Sequence, residues 1–137
     1  MTPQQLRSER GSGTVAAIGI IAVLIVLLAL VAAVGAAAAA KAQAARVADL
    51  SALAAADTAR GLNAGDPCTV AAHVAARNQA VLEECTVGGE YPTEVTVSVS
   101  RDSGVVVISH ILPAMTLTAT GVARAGPPEA LPGTGDP

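Results

Sequence analysis

The longest feature of the chain is an apolar run, residues 11–40, in which no side chain ionises. Its densest part, Val15 to Val34, is 20 residues long. As a helix this part measures about 30 Å, the thickness of the hydrocarbon core of a bilayer. The pattern therefore predicts a transmembrane helix over residues 14–40, preceded by a short cytoplasmic segment, residues 1–13.

A cleavable secretory signal is the alternative interpretation of this run. Arg7 and Arg10 would form its basic region, and the small residues 36–40 would form its cleavage region. Signal peptides carry only about 7–15 apolar residues in their central region, and this run is longer. We therefore prefer a retained anchor, with release after cleavage as the alternative.

The charges that flank the run leave its orientation nearly balanced. Arg7 and Arg10 precede it, whereas Lys41 and Arg46 follow it, so counting positive charges decides little. The segment before the run is too short to be a domain, and the segment after it carries both cysteines. We therefore predict a single-pass protein of the cell membrane, with its N-terminus inside and its C-terminus outside.

Alanines repeat at four-residue spacing inside the run. Ala29, Ala33 and Ala37 form one such row, and small residues at this spacing let two helices approach closely in lipid. We take the row as a candidate surface for packing between transmembrane helices. The alternative is chance, because an alanine-rich chain produces such rows without any partner.

Beyond Lys41 the alanine-rich sequence continues without glycine or proline up to Gly61, and alanine is the best helix former. We expect the helix to leave the membrane as an extracytoplasmic continuation over residues 41–60, about 70 Å long when counted from Thr14. Its apolar stripe is expected to contain Val47, Leu50 and Ala54, with the charged residues on another side.

The two cysteines, Cys68 and Cys85, predict the next part of the fold. Asp66 followed by Pro67 is a good helix start, and Asn78 is a suitable end, because asparagine tolerates the left-handed cap. A strand returning from there would bring Cys85 back beside Cys68, at the separation that a disulfide needs. Free buried thiols are the alternative, and the spacing of cysteines and histidines does not suit a zinc site.

The remaining pattern has a period of two, which is typical of half-buried strands. It predicts strands at Val81–Val87, near Val95–Ser100, at Val105–Leu112 and near Met115–Thr120. Residues 61–125 are thus expected to form a small α+β outer domain, with one short helix against an antiparallel sheet. The fold class of the whole chain is therefore predicted as α+β, with a long N-terminal transmembrane helix.

Residues 126–137 are rich in proline and glycine, which predicts a disordered tail. Leu131 to Gly135 fits the Leu-Pro-x-Thr-Gly pattern that sortases cleave. The apolar and basic stretch of a working sorting signal does not follow it. We interpret the match as a coincidence of composition.

The composition excludes several function classes. The chain has 137 residues, is 52% apolar and 1% aromatic, and has a formal net charge of −3. It is too short for a large catalytic domain and too apolar for disorder throughout, and it lacks the basic stripe and the aromatic rings of a nucleic-acid binder. Only His73 and His110 would titrate near neutral pH, and neither lies in a catalytic motif. We expect no enzymatic activity and no cofactor.

Two stretches at the ends of the long helix resemble a known family. Residues 10–15 read Arg-Gly-Ser-Gly-Thr-Val, and residues 48–56 read Ala-Asp-Leu-Ser-Ala-Leu-Ala-Ala-Ala. With the apolar run between them and the spaced cysteines after them, they resemble TadE-like proteins of high-GC Gram-positive bacteria. The resemblance covers residues 10–125 and is with the short type found near tight-adherence secretion components.

The resemblance implies a minor-pilin-like or pseudopilin-like subunit of the type IVb (Flp/Tad) pilus or secretion apparatus. Its partners would be the membrane, other pilin-like subunits and the Tad secretion platform. In this family a prepilin peptidase cuts after a glycine before the apolar helix, which makes Gly11 and Ser12 the candidate processing site. The glutamate that usually follows is missing, since residues 14–17 are Thr-Val-Ala-Ala. The rival function is an exported or membrane-tethered small binding protein that acts at the envelope or on a host partner.

Overall fold

The computed structural model describes residues 5–102 and 118–128. They form two helices and three strands, which confirms the predicted α+β class. The elements, in chain order, are α1 (Gln5–Ala59), α2 (Pro67–Arg77), β1 (Val81–Val87), β2 (Val95–Asp102) and β3 (Thr118–Ala125).

Helix α1 runs without a break through the apolar run and its alanine-rich continuation, as expected, but it begins at Gln5 and not near Thr14. The residues before Thr14 are compatible with a helix, because glutamine, leucine, arginine and glutamate are all good helix formers. At its other end the helix stops before Gly61, whose φ of +79° lies in the left-handed region that glycine adopts without strain. Where the membrane begins and ends along α1 stays a prediction.

The chain divides into two compact units, residues 1–35 and residues 36–137. In the first unit the large apolar side chains from Val15 to Val34 are all exposed, by 51% to 72% of their surface. Water does not favour such a surface, because burial of apolar area is the main driving force for folding. This unit therefore has a surface that suits a lipid or protein environment.

The sheet of the second unit is antiparallel, with β2 between β1 and β3. Val97 lies opposite Cys85 on one side and Ala123 on the other. The predicted alternation in β2 is confirmed, since Val95, Val97 and Val99 are fully buried while the residues between them are half-buried. These three valines are the centre of the core.

Strand β3 extends further along the chain than the sequence suggests. It spans Thr118–Ala125, whereas the pattern predicts a strand near Met115–Thr120. The inward positions of β3 are small residues, including Gly121 and Ala123, and these give little hydrophobic signal. Met115 and the predicted strand Val105–Leu112 lie outside the described residues, as do the tail beyond residue 128 and the sortase-like match.

The part of α1 in the second unit packs through alanines, which corrects one sequence expectation. Of the expected stripe, Val47 is buried and Ala54 is half-buried. The other buried residues of this part are mainly alanines that the stripe did not include: Ala44, Ala48, Ala52 and Ala55. Leu50, expected on this stripe, is instead 51% exposed. Small side chains face inward because the helix and strand β3 approach too closely for a leucine to fit between them.

Glycine at position 121 makes that approach possible. A Cβ at Gly121 would overlap the carbonyl carbon and oxygen of Ala44 and would lie 2.7 Å from the backbone nitrogen of Ala45. Backbone therefore meets backbone at this point, and only glycine has room there.

Helix α2 starts with the N-cap that the sequence predicts. Asp66 is the N-cap, and its Oδ1 accepts hydrogen bonds from the Thr69 backbone nitrogen at 2.8 Å and from Thr69 Oγ1 at 3.0 Å. The helix ends at Arg77 and Asn78 is its C-cap, close to the expected end, but the left-handed residue is Gln79, with a φ of 58°, and not Asn78. Arg101 supports this turn by donating hydrogen bonds to Asn78 O at 3.2 Å and to Gln79 Oε1 at 3.0 Å.

The Asp66 cap predicts a pH dependence. The backbone hydrogen bond from Thr69 is the main cause that lowers the pKa of Asp66. A carboxylate whose pKa is lower in the folded protein stabilises the fold above its ordinary pKa, and this contribution is lost as the pH falls through the folded pKa. Asparagine caps a helix without titrating. We therefore expect α2 of Asp66→Asn to lose less stability than α2 of the wild type when the pH falls below about 4. Amide hydrogen exchange of α2 in the full chain measures this, and an unchanged acid dependence in the variant would contradict it.

Candidate functional site

The candidate membrane anchor lies on helix α1. Among the described residues, one helical stretch, Gly13–Ala59, is long and apolar enough to cross a membrane by length and composition. None of its most apolar window is buried in the structure. A helix of this kind fits membrane anchoring, because its backbone polar groups are bonded within the helix and its side chains match the lipid.

The predicted processing and packing residues all lie on this helix. Gly11 is exposed, and Gly11 and Ser12 are both helical. Ala29 and Ala37 are exposed and Ala33 is half-buried, at a spacing that places all three on one side of the helix. Their roles in cleavage and in helix packing stay predictions.

The two cysteines meet in the second unit. Cys68 and Cys85 form a disulfide, with their Cα atoms 5.8 Å apart. The bond joins the first turn of α2 to the middle of β1, and Cys85 packs against the buried valines of the core. The crosslink therefore holds the short helix on the sheet.

An ion pair between the buried Glu94 and the exposed Arg124 joins the end of the β1–β2 loop to β3, and the sequence did not predict it. The Glu94 side chain is 4% exposed, and its Oε2 lies 2.5 Å from Arg124 Nη2 on β3. The hydrogen bond and the charge of Glu94 raise the pKa of Arg124. Gly89 packs directly against the Glu94 carboxylate, where a Cβ would overlap it. In the sequence, the paired glycines Gly88 and Gly89 indicate the turn that begins this loop, but they do not indicate which charged residues pair.

Ser51 is a second buried polar residue that the sequence did not predict. It lies on the alanine side of α1 and is fully buried. Its Oγ has no hydrogen-bond partner among the described residues. Burying a hydroxyl in this way costs free energy.

We expect Ser51→Ala to raise the free energy of unfolding of the second unit by about 1 kcal/mol, because it removes the unpaired hydroxyl and improves helix propensity. Hydrogen exchange of the β2 amides in the full chain reports this free energy. Ser98→Ala is the matched control, since Ser98 is only half-buried, on the outer side of β2. A loss of stability in Ser51→Ala would show that the hydroxyl has a bonded role.

The sequence match to known families falls on this same helix. Residues 11–58 match the family described as putative Flp pilus-assembly TadE/G-like. The matched stretch is 48 of the 137 residues, so the similarity is to this helix and not to the whole chain. The TadE/G-like region therefore lies within helix α1, whereas Cys68, Cys85 and the sheet lie beyond it.

No curated protein and no solved structure matched the chain. The TadE/G-like region contains the candidate processing residues, the alanine row and Ser51. A pilus-assembly family suggests a structural, non-enzymatic protein, and it implies association with a membrane and with other pilus components.

Proposed function

We propose that this protein is a membrane-anchored subunit, of the minor-pilin or pseudopilin type, in a tight-adherence (Flp/Tad) pilus or secretion assembly. The family match supports involvement in Flp/Tad pilus assembly. The observation that carries the proposal is helix α1, which has an apolar segment with exposed side chains and continues into a part whose buried side, mainly alanine, belongs to the core of a folded unit. One continuous helix thus contains both the candidate membrane anchor and part of the folded unit. We consider this arrangement suited to a subunit that packs against neighbouring subunits in an assembly.

The proposed topology places the N-terminus inside and residues 61–125 outside the cell. The Cys68–Cys85 disulfide supports this orientation, because disulfides persist in oxidising compartments and are rare in the cytosol. Residues 1–13 then form the cytoplasmic segment, residues 14–40 the membrane span and residues 41–60 the outer continuation of α1.

The proposed partners are the membrane, other pilin-like subunits and the Tad secretion platform. In lipid the row Ala29, Ala33 and Ala37 would let a neighbouring helix approach closely. We expect Ala33→Leu to reduce the amount of subunit recovered with its partners from membranes by about fivefold, an effect of about 1 kcal/mol.

Ala38→Leu is the control for the alanine row, because it makes the same change on a different side of the helix. Recovery is measured by co-purification from solubilised membranes. Equal losses in the two variants would show that the row has no special role.

Processing at Gly11 and Ser12 is the further part of the proposal. Intact mass and N-terminal sequencing of the protein from membrane and culture fractions test it directly. A mature chain that begins at Ser12 supports cleavage by a prepilin peptidase, and one that begins at Met1 supports an uncleaved anchor.

Fractionation and co-purification decide between the two candidate functions. We expect the protein in the membrane fraction, together with the secretion ATPase and its membrane platform. Release into the culture fluid of a chain that begins near Ala40 or Lys41 would overturn the proposal in favour of an exported binding protein.

A further inference from the structure

The outward side of α1 in the second unit carries the larger apolar residues of this stretch. Leu50 and Leu53 are 51% and 54% exposed, while the buried side of the same helix consists mainly of alanine. An ordinary amphipathic helix has the reverse arrangement, with leucine inside. The helix therefore has a second apolar surface that the described residues, 5–102 and 118–128, leave uncovered.

Two charged residues continue this surface towards the N-terminus of the helix. Arg46 and Asp49 are exposed, and neither takes part in an ion pair among the described residues. Towards the other end, Asp57 is already paired with Arg60 at 2.5 Å. We call Arg46, Asp49, Leu50 and Leu53 the outer strip.

We infer that the outer strip binds the outer strip of a second copy of this chain. The two helices run in the same direction and are shifted along their axes by three residues, or about 4.5 Å. The common direction rests on the proposed function, because both copies enter the same membrane through the same helix.

The order of residues along the strip determines the shift. Without a shift, Arg46 would face Arg46 and Asp49 would face Asp49, and like charges in contact disfavour association. A shift of three residues places Arg46 opposite the second copy's Asp49, and Leu50 opposite its Leu53. The charges are then complementary and the leucines cover each other.

Such a contact is not symmetric. Each copy offers Arg46 to one neighbour and Asp49 to another, which is a heterologous interface, and heterologous interfaces that do not close extend into rows or helical filaments. The outer strip thus supplies contacts between subunits outside the membrane.

Charge reversal in the full chain, in detergent micelles and in phospholipid vesicles, tests the inference. We expect Arg46→Asp and Asp49→Arg each to weaken self-association by about fivefold, equal to about 1 kcal/mol. Association should return when the two variants are mixed, because one then carries two anions where the other carries two cations. It should also return in the double variant R46D/D49R.

The controls are matched in residue type. Arg77→Asp reverses an exposed charge on α2, and Leu62→Gln removes an exposed leucine outside α1; neither should change association. Leu53→Gln should weaken it. Circular dichroism of every variant verifies that the fold is retained.

Crosslinking locates the contact. In Arg46→Lys, carbodiimide coupling of a mixture of isotopically light and heavy copies should give mixed-isotope crosslinks between position 46 and Asp49. Crosslinks to Asp57 in place of Asp49 would indicate helices that run in opposite directions and would overturn the inference.

The outcomes separate this inference from the proposed function. If the wild-type protein is in the membrane but the reversals do not change its association, or mixing does not restore it, the outer strip is not the interface and the anchored-subunit function stands. If the wild-type protein is absent from the membrane fraction, the proposed function fails and with it the common direction of the helices.

Discussion

Gly121→Ala is expected to destabilise the second unit by about 1–3 kcal/mol, the usual range for inserting a methyl group into a packed interior. The new Cβ would overlap the backbone of Ala44, and backbone atoms cannot move aside as a flexible side chain can. Gly121→Val should have a larger effect, because it adds further atoms at the same point.

Hydrogen exchange of the β2 amides in the full chain measures this loss. Val122→Ala is the control on the same strand, since Val122 is 68% exposed and points away from the helix. If Gly121→Ala retained the stability of the wild type, the close approach of β3 to α1 would be wrong.

Removal of the disulfide is expected to cost about 3 kcal/mol. Cys68 and Cys85 are 17 residues apart, and a crosslink that closes a loop of this length limits the freedom of the unfolded chain. The core of alanine and valine buries little area per residue, so a small unit of this kind depends more on a crosslink than one with aromatic side chains. The double variant C68S/C85S should therefore lose much of its hydrogen-exchange protection in α2 and β1.

Reduction of the wild-type protein is the matched experiment. It should lower stability by a similar amount, and the same reductant should have no effect on C68S/C85S. Intact mass before and after reduction should differ by two hydrogens. Equal protection in the oxidised, reduced and doubly substituted proteins would show that the disulfide adds no stability.

The short elements of the second unit could be predicted from the sequence because their signals are local. Asp66 and Pro67 set the start of α2, and the alternation of valine with threonine and serine set the faces of β2. The positions of Cys68 and Cys85 followed from counting along a helix and a returning strand. These features depend on residues that are neighbours along the chain.

Other features could not be predicted because they depend on distant parts of the chain. The stripe of α1 was expected to bury Leu50, yet the structure exposes it and buries Ser51 in its place. In an alanine-rich helix nearly every side is apolar, so periodicity does not identify the packed side. The Glu94–Arg124 pair was missed for a similar reason, since its members are 30 residues apart.

For the candidate sites on α1, the sequence shows patterns typical of such sites but does not show that the sites are used. The Gly11–Ser12 processing site and the Ala29, Ala33 and Ala37 row stay predictions, because cleavage and packing involve other molecules. The outer strip became visible only when the exposure of Leu50 and Leu53 was known.

The sequence by itself determined the long apolar helix, the limits of α2 and β1, the alternating face of β2 and the pairing of the cysteines, because helix propensity, capping and periodicity act between residues close in the chain. The tertiary structure alone decided which side of α1 is buried and which side is left for a partner. That choice follows from the shape of the opposite surface, where Gly121 lets the strand touch the helix and small side chains, mainly alanine, fill the remaining space.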